Sequence, residues 1–192
     1  MRKLKLQMHI TLDGFAGKEN GQMDWMTVAW SKDLHKFTIK NLDDVDCILV
    51  AFGKKMDDSF FSYWGATAGK PNDPFFEVAK KITATSKIII SKYPVAAEFS
   101  NTRIIKGDII EEVKQLKKQS GKDLMVYGGV TFASSLIEND LVDEFYFLLN
   151  PVAIGKGLSL FDGIKGNLDL ELIISEPDEC GIVVNKYIKK KK

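Results

Sequence analysis

The hydrophobic period of this chain changes once, and that change limits the folds open to it. From Leu4 to about Leu141, short apolar runs alternate with segments whose apolar residues recur every three or four positions; beyond Leu141 the helical spacing is gone. Strands separated by helices pair in parallel, whereas strands joined by short glycine-containing turns pair antiparallel. The pattern predicts an α/β fold with a mostly parallel central sheet and antiparallel C-terminal strands. With 192 residues, 45% of them hydrophobic, a single domain over residues 1–192 can bury a sizeable core without covalent staples.

Along the chain, Leu4 to Leu12 reads as a strand closed by Asp13-Gly14, followed by a long polar, glycine-containing loop through Gly21 to Trp25. Helical spacing from Ser31 through Leu34 and Phe37 leads into an apolar strand, Cys47 to Phe52. Asn72-Asp73-Pro74 signals a capped helix with Phe75, Val78, Ala79 and Ile82 on one face, and Lys87 to Ser91 follows as a buried strand. Thr102 to Lys106 is a further strand. Asp108-Ile109-Ile110-Glu111 has capping-box spacing ahead of a helix with Val113 and Leu116 inward, ended near Gly121. Asp123 to Tyr127 is a strand that feeds Gly128-Gly129, and Thr131 to Glu138 the helix behind it. The last strands are predicted at Glu144 to Ile154, Leu168 to Ser175 and Ile182 to Ile188.

Charge and cysteine usage exclude several function classes. A net charge of +1, from 27 basic and 26 acidic residues, gives no field to hold nucleic acid or an anionic membrane. Cys47 and Cys180 each sit in an apolar run and are expected as buried free thiols in a reducing compartment. Neither spaces with His9 or His35 as zinc ligands do, so no metal is expected. The basic start meets Asp13-Gly14 before any signal-type apolar segment forms, and no run is long enough to span a bilayer, so the expected location is the cytoplasm.

Ligands of a mainly parallel sheet gather beyond the carboxyl ends of its strands. There this chain places Gly53-Lys54-Lys55, Ser91-Lys92 and Gly128-Gly129, the last followed by Val130-Thr131 at a helix start. Main-chain N–H groups of the glycine pair and of the helix start suit a pyrophosphate, and Lys54, Lys55, Ser91 and Lys92 suit a separate phosphate. The alternative for the pair is a tight turn or close helix–strand packing, and for each lysine a plain surface charge. Gly65 to Pro71 imitates a P-loop but is one residue short and has Pro71 where a hydroxyl belongs; it reads as a surface loop. Gly155-Lys156-Gly157 reads as turn chemistry. For acid–base work, Asp33 near the start of the first helix can point into a cleft or simply stabilise the helix dipole. Asp13 reads as a turn residue, and His9 as either a core or a cleft-facing imidazole.

Taken together, Leu12-Asp13-Gly14-Phe15, Met23-Asp24-Trp25, Phe52-Gly53-Lys54-Lys55-Met56, Ile90-Ser91-Lys92, Val126-Tyr127-Gly128-Gly129 and Asn150-Pro151-Val152 resemble the dihydrofolate reductase-like family, in the branch related to the C-terminal reductase domain of riboflavin biosynthesis. The resemblance covers nearly the whole chain. It implies a dihydrofolate reductase-like three-layer fold, NADPH as cofactor, a homodimer, and hydride transfer to a small heterocycle or a related carbonyl or imine. Of the substrates it implies, a ribosylated pyrimidine of riboflavin synthesis comes first and a pterin second; a non-catalytic nucleotide-binding protein is the rival. By the same resemblance Gly128 and Gly129 hold the pyrophosphate, Gly53 and Lys54 lie beside the phosphates, and Ser91 and Lys92 lie near the adenosine 2′-phosphate. The loop from Asp13 to Trp25 borders nicotinamide and substrate, so His9, Asp13 and Trp25 line the pocket. Asp33-Leu34-His35-Lys36-Phe37 is similar to the acid-Leu-x-x-Phe pattern, which makes Asp33 the candidate proton donor. Lys54 stands where the family usually has Arg, which bears on NADPH selectivity.

Overall fold

The computed structural model describes residues 1–52, 58–95 and 99–190. In chain order these form β1 (Leu4–Thr11), β2 (Phe15–Gly17), α1 (Lys32–Asn41), β3 (Val45–Phe52), α2 (Ser59–Ala68), α3 (Phe76–Ala84), β4 (Ser86–Ser91), β5 (Thr102–Lys106), α4 (Ile109–Lys118), β6 (Asp123–Val126), α5 (Val130–Glu138), β7 (Glu144–Asn150), β8 (Leu158–Ser159), β9 (Leu170–Pro177) and β10 (Val183–Lys189). The chain falls into two compact units, one of residues 1–2 and 32–125, the other of residues 3–31 and 126–192.

In the first unit the strand order is β5-β4-β3-β6, and every pairing is parallel. Parallel strands buried on both faces need continuous apolar runs. Ile48, Leu49, Ile89, Ile90, Leu124 and Met125 supply them, all at 1% exposure or less. Val78, Ala79 and Ile82 of α3 and Val113 and Leu116 of α4 are buried as their spacing predicts. The Asp108 carboxylate caps α4 by accepting from the N–H groups of Ile110 and Glu111. At the other end of α3, Lys87 Nζ donates to the carbonyls of Thr83 and Thr85 at 2.7 Å each, closing the helix onto β4.

In the second unit the order is β1-β7-β10-β9, with β1–β7 parallel and the remaining pairs antiparallel. The predicted class is therefore the one the chain adopts: mixed α/β, mostly parallel, with antiparallel C-terminal strands. Phe132, Leu136 and Ile137 make the buried face of α5. Glu144 at the start of β7 accepts from Lys3 Nζ at 2.7 Å, Tyr146 Oη at 2.6 Å and Lys186 Nζ at 3.1 Å. Burial pushes its carboxyl pKa up, but these donors outweigh it and bring the group down to about 2.

Some local expectations are corrected. Residues Gly65 to Ala68, read as surface loop, are the last turn of α2, and Gly69 follows as its C-cap. The cap signal at Asn72-Asp73-Pro74 lies two residues early: Asp73 Oδ1 accepts the Phe75 N–H at 2.9 Å in a turn, the N-cap is Phe75, and α3 begins at Phe76. β2 and β8 form a separate two-stranded sheet that the hydrophobic pattern does not reveal. Cys47 is buried, but Cys180 is only half-buried.

Candidate functional site

The residues between β6 and α5 are Tyr127, Gly128 and Gly129. Gly128 has φ +145°, a conformation that L side chains rarely adopt, so glycine is required there for the backbone alone. Gly129 is different. It is the N-cap of α5 with φ −65° and ψ 168°, joined to Gly128 by a cis peptide bond, and a Cβ built on it meets nothing within 4 Å among the described residues. No side chain caps the first turn of α5. The N–H groups that open a helix have no intrahelical partner, and they carry the positive end of its dipole. A helix start of this kind can receive an anion, and the space in front of Gly129 is open among the described residues. A Cβ on Gly128 would lie 3.9 Å from Met8 Cε, which places the pair beside β1.

A second cluster sits where β1 and β7 end. Asn150, the last residue of β7, is fully buried. Its Oδ1 accepts the Thr27 N–H at 3.0 Å, and its Nδ2 donates to the Leu148 carbonyl at 2.9 Å and to His9 Nδ1 at 3.1 Å. Thr27 in turn accepts from Trp30 Nε1 at 2.9 Å, and the Trp30 ring stacks on the His9 imidazole at 5.3 Å with 28° between planes. The ring of contacts closes on itself and clamps His9 from two sides. Burial pulls its pKa down to about 4, so the imidazole is neutral at pH 7.

The remaining predicted site residues are placed as follows. Trp25, in the loop after β2, buries its indole Nε1, which has no hydrogen-bond partner among the described residues. Asp13 turns back on the chain. Its carboxylate accepts from Thr11 Oγ1 at 2.6 Å and from the N–H groups of Ile154 at 3.0 Å and Gly155 at 2.7 Å, and the Thr11 bond leads in holding its pKa below the usual range. It clamps two turns. Asp33 opens α1 with a side chain 87% exposed, and its Oδ1 accepts from Lys36 Nζ at 3.0 Å; this is the geometry of a first-turn acid at the positive end of a helix. Ser91 ends β4 at 1% exposure, its Oγ accepting the Tyr93 N–H at 3.0 Å. Lys92 pairs with Asp108 at 2.7 Å, and that bond raises the amine's pKa. Gly53, Lys54 and Lys55 lie outside the described residues. Residue-by-residue reading missed the clamp of Thr27, Trp30 and Asn150; the one signal in the sequence was a polar residue, Asn150, following the apolar run Phe145 to Leu149.

The sequence profile of the RibD C-terminal domain matches residues 2–184. The chain belongs to the RibD C-terminal domain family. A relative in that size range is the uncharacterized protein YyaP of Bacillus subtilis (strain 168), 33% identical over 189 residues that cover 97% of this chain and 94% of the relative. Among solved structures, the fold is shared with a putative riboflavin biosynthesis protein from Shewanella sp. PV-4, at TM-score 0.69, 19% identity and full coverage of both chains. It is also shared with the dihydrofolate reductase of Enterococcus faecalis in complex with NADP(H), at TM-score 0.61 and 18% identity, covering 98% of this chain and 97% of that one. The dihydrofolate reductase-like fold expected of the family is thus the fold found.

Proposed function

We propose that this family member is an NADPH-dependent reductase that transfers hydride to a small heterocycle or a related carbonyl or imine. A pyrimidine of the 5-amino-6-(5-phosphoribosylamino)uracil type is the first candidate substrate and a pterin the second. The observation that carries this reading is Gly129: the N-cap of α5, which gives the helix no side-chain cap and has open space before it among the described residues. A pyrophosphate fits that helix start, because backbone donors and a helix dipole recognise it without a side chain. Gly128, Gly129, Val130 and Thr131 would hold it. When bound, NADPH supplies the hydride; the protein's part is alignment and exclusion of water. His9 presents an unspent ring nitrogen for the substrate side, Trp25 borders that side by the resemblance, and Asp33 stands as the acid that the resemblance nominates.

The rival reading, a nucleotide-binding protein without turnover, draws on the exposure of Asp33 and its pairing with Lys36. NADPH titration followed by turnover assays decides between them. Binding with oxidation on a pyrimidine or pterin supports the reductase, binding without oxidation across both supports the rival, and no binding at millimolar NADPH rejects the anion seat.

A second copy of the chain is the proposed partner, in the cytoplasm. β9 stands at the end of its strand order and leaves Leu172 and Ile173 at 52% and 45% exposure, an apolar edge strand of the kind that associates. Among the described residues no helix is long and apolar enough to cross a membrane. A sedimenting monomer at micromolar concentration would contradict the dimer.

A further inference from the structure

The Asn150 amide has only one orientation that satisfies its neighbours. The Thr27 N–H at 3.0 Å needs an acceptor, and the Leu148 carbonyl at 2.9 Å needs a donor, so Oδ1 faces Thr27 and Nδ2 faces Leu148. Flipping the amide would set N–H against N–H and oxygen against oxygen. The same Nδ2 is 3.1 Å from His9 Nδ1, and its contact to the Ile10 carbonyl is longer, at 3.4 Å. An N–H donor facing Nδ1 requires a lone pair there. The proton of the neutral imidazole is therefore on Nε2.

Nε2 itself is unspent. Among the described residues it has no hydrogen-bond partner, and His9 is half-buried. The ring cannot turn to hide it, since Trp30 stacks on its face and Trp30 is tied to Thr27. We propose that Asn150 is a positioning residue that fixes His9 as the Nε2–H tautomer, so that the end of β1 presents a rigid hydrogen-bond donor to a carbonyl oxygen or ring nitrogen of the heterocyclic substrate. The proposal rests on the reductase reading for the identity of the acceptor, but not for the tautomer. Among the described residues, burial and then the Asn150 hydrogen bond are the influences on the His9 titration, so the donor persists through neutral pH. A fixed neutral donor selects for acceptors and against cationic groups, because an imidazole held in place cannot become an acceptor by rotating.

Nitrogen NMR on imidazole-labelled protein reads the tautomer directly. His35→Gln leaves a single histidine, so the signals belong to His9. The expected result at pH 7 is a protonated Nε2 and an unprotonated Nδ1; a protonated Nδ1, alone or in a doubly protonated ring, overturns the proposal. In Asn150→Asp the carboxylate still accepts from Thr27 but now also accepts from Nδ1, so the tautomer inverts. With NADPH and 5-amino-6-(5-phosphoribosylamino)uracil or dihydrofolate as probes, KM should then rise about tenfold while kcat stays within about twofold. Should Asn150→Asp not fold, His9→Gln, which keeps a donor, is expected to hold KM well below that of His9→Leu; equal KM values for the two overturn the donor role. Saturating the protein with NADPH and a turned-over probe should shift the Nε2 resonance. Turnover without that shift defeats the donor proposal alone, whereas failure to bind NADPH defeats the reductase reading and leaves the tautomer to be judged by its resonances.

Discussion

Two strand ends in this molecule carry similar residues and use them in opposite ways. At the end of β4, Ser91 accepts from the Tyr93 N–H and Lys92 is paired with Asp108, so both polar side chains are engaged within the chain. In the second unit, Gly129 gives the first turn of α5 no side-chain cap, and His9 Nε2 and Trp25 Nε1 have no hydrogen-bond partner among the described residues. A buried polar group left without a partner costs stability, so each such group is a candidate for a ligand. Strand-end position alone does not mark a binding residue. What marks it is whether the group is already spent.

The comparison breaks most visibly at a spent group. Glu144→Ala removes the acceptor shared by Lys3, Tyr146 and Lys186, and unfolding free energy should fall by about 3–5 kcal/mol with NADPH affinity unchanged. Denaturant titration beside an NADPH titration checks both halves, and a loss of affinity without loss of stability would reverse the assignment.

The same logic gives acid unfolding two windows. The neutral His9 of the folded state has a pKa of about 4 against 6.5 for the free group, so its contribution is complete above pH 6.5 and is lost as pH falls toward 4. Glu144, depressed to about 2 from 4.5, holds its contribution above pH 4.5 and loses it as pH falls through 2. Stability measured against pH should step down in both ranges, and His9→Gln should remove the upper step only.

Smaller effects sharpen the contrast. Lys92→Ala, at a pair already formed with Asp108 on the surface, should weaken NADPH by less than about threefold and leave NADH unaffected. A loss above tenfold confined to NADPH would show that Lys92 leaves Asp108 for a phosphate. Asp33→Asn should keep cofactor affinity and change turnover by less than about twofold, because the carboxylate faces solvent beside Lys36. A fall of about a hundredfold would instead give Asp33 the proton-donor role.

Local signals in the sequence were read well, and contacts between distant residues were not. β5 and the Asp108-capped α4 follow from spacing and a cap within a few residues, and the structure forms both as predicted. α2 was hidden because Gly65 and Pro71 read as loop, although Gly65 is tolerated inside the helix and Pro71 lies beyond its end. β2 and β8 are three and two residues long and find each other only in the folded chain, so no period announces them. The turn from β6 into α5 at the glycine pair was legible because backbone conformation needs no partner side chain. The clamp on His9 was not: its partner Asn150 is 141 residues away, and alternation along β1 says nothing of what faces a side chain. Asp33 shows the converse, since position in a first turn fixes nearness to the helix end but not the direction of the carboxylate.

Gly129→Ala tests whether Gly129 is glycine for a ligand, as proposed. The alanine has an ordinary φ and open space around its Cβ, so thermal stability should be within about 1 kcal/mol of the parent protein. NADPH affinity, measured by calorimetry on the same samples, should fall about tenfold to a hundredfold as the methyl group occupies the place of the pyrophosphate. Unchanged NADPH affinity in a stable Gly129→Ala protein would contradict the account.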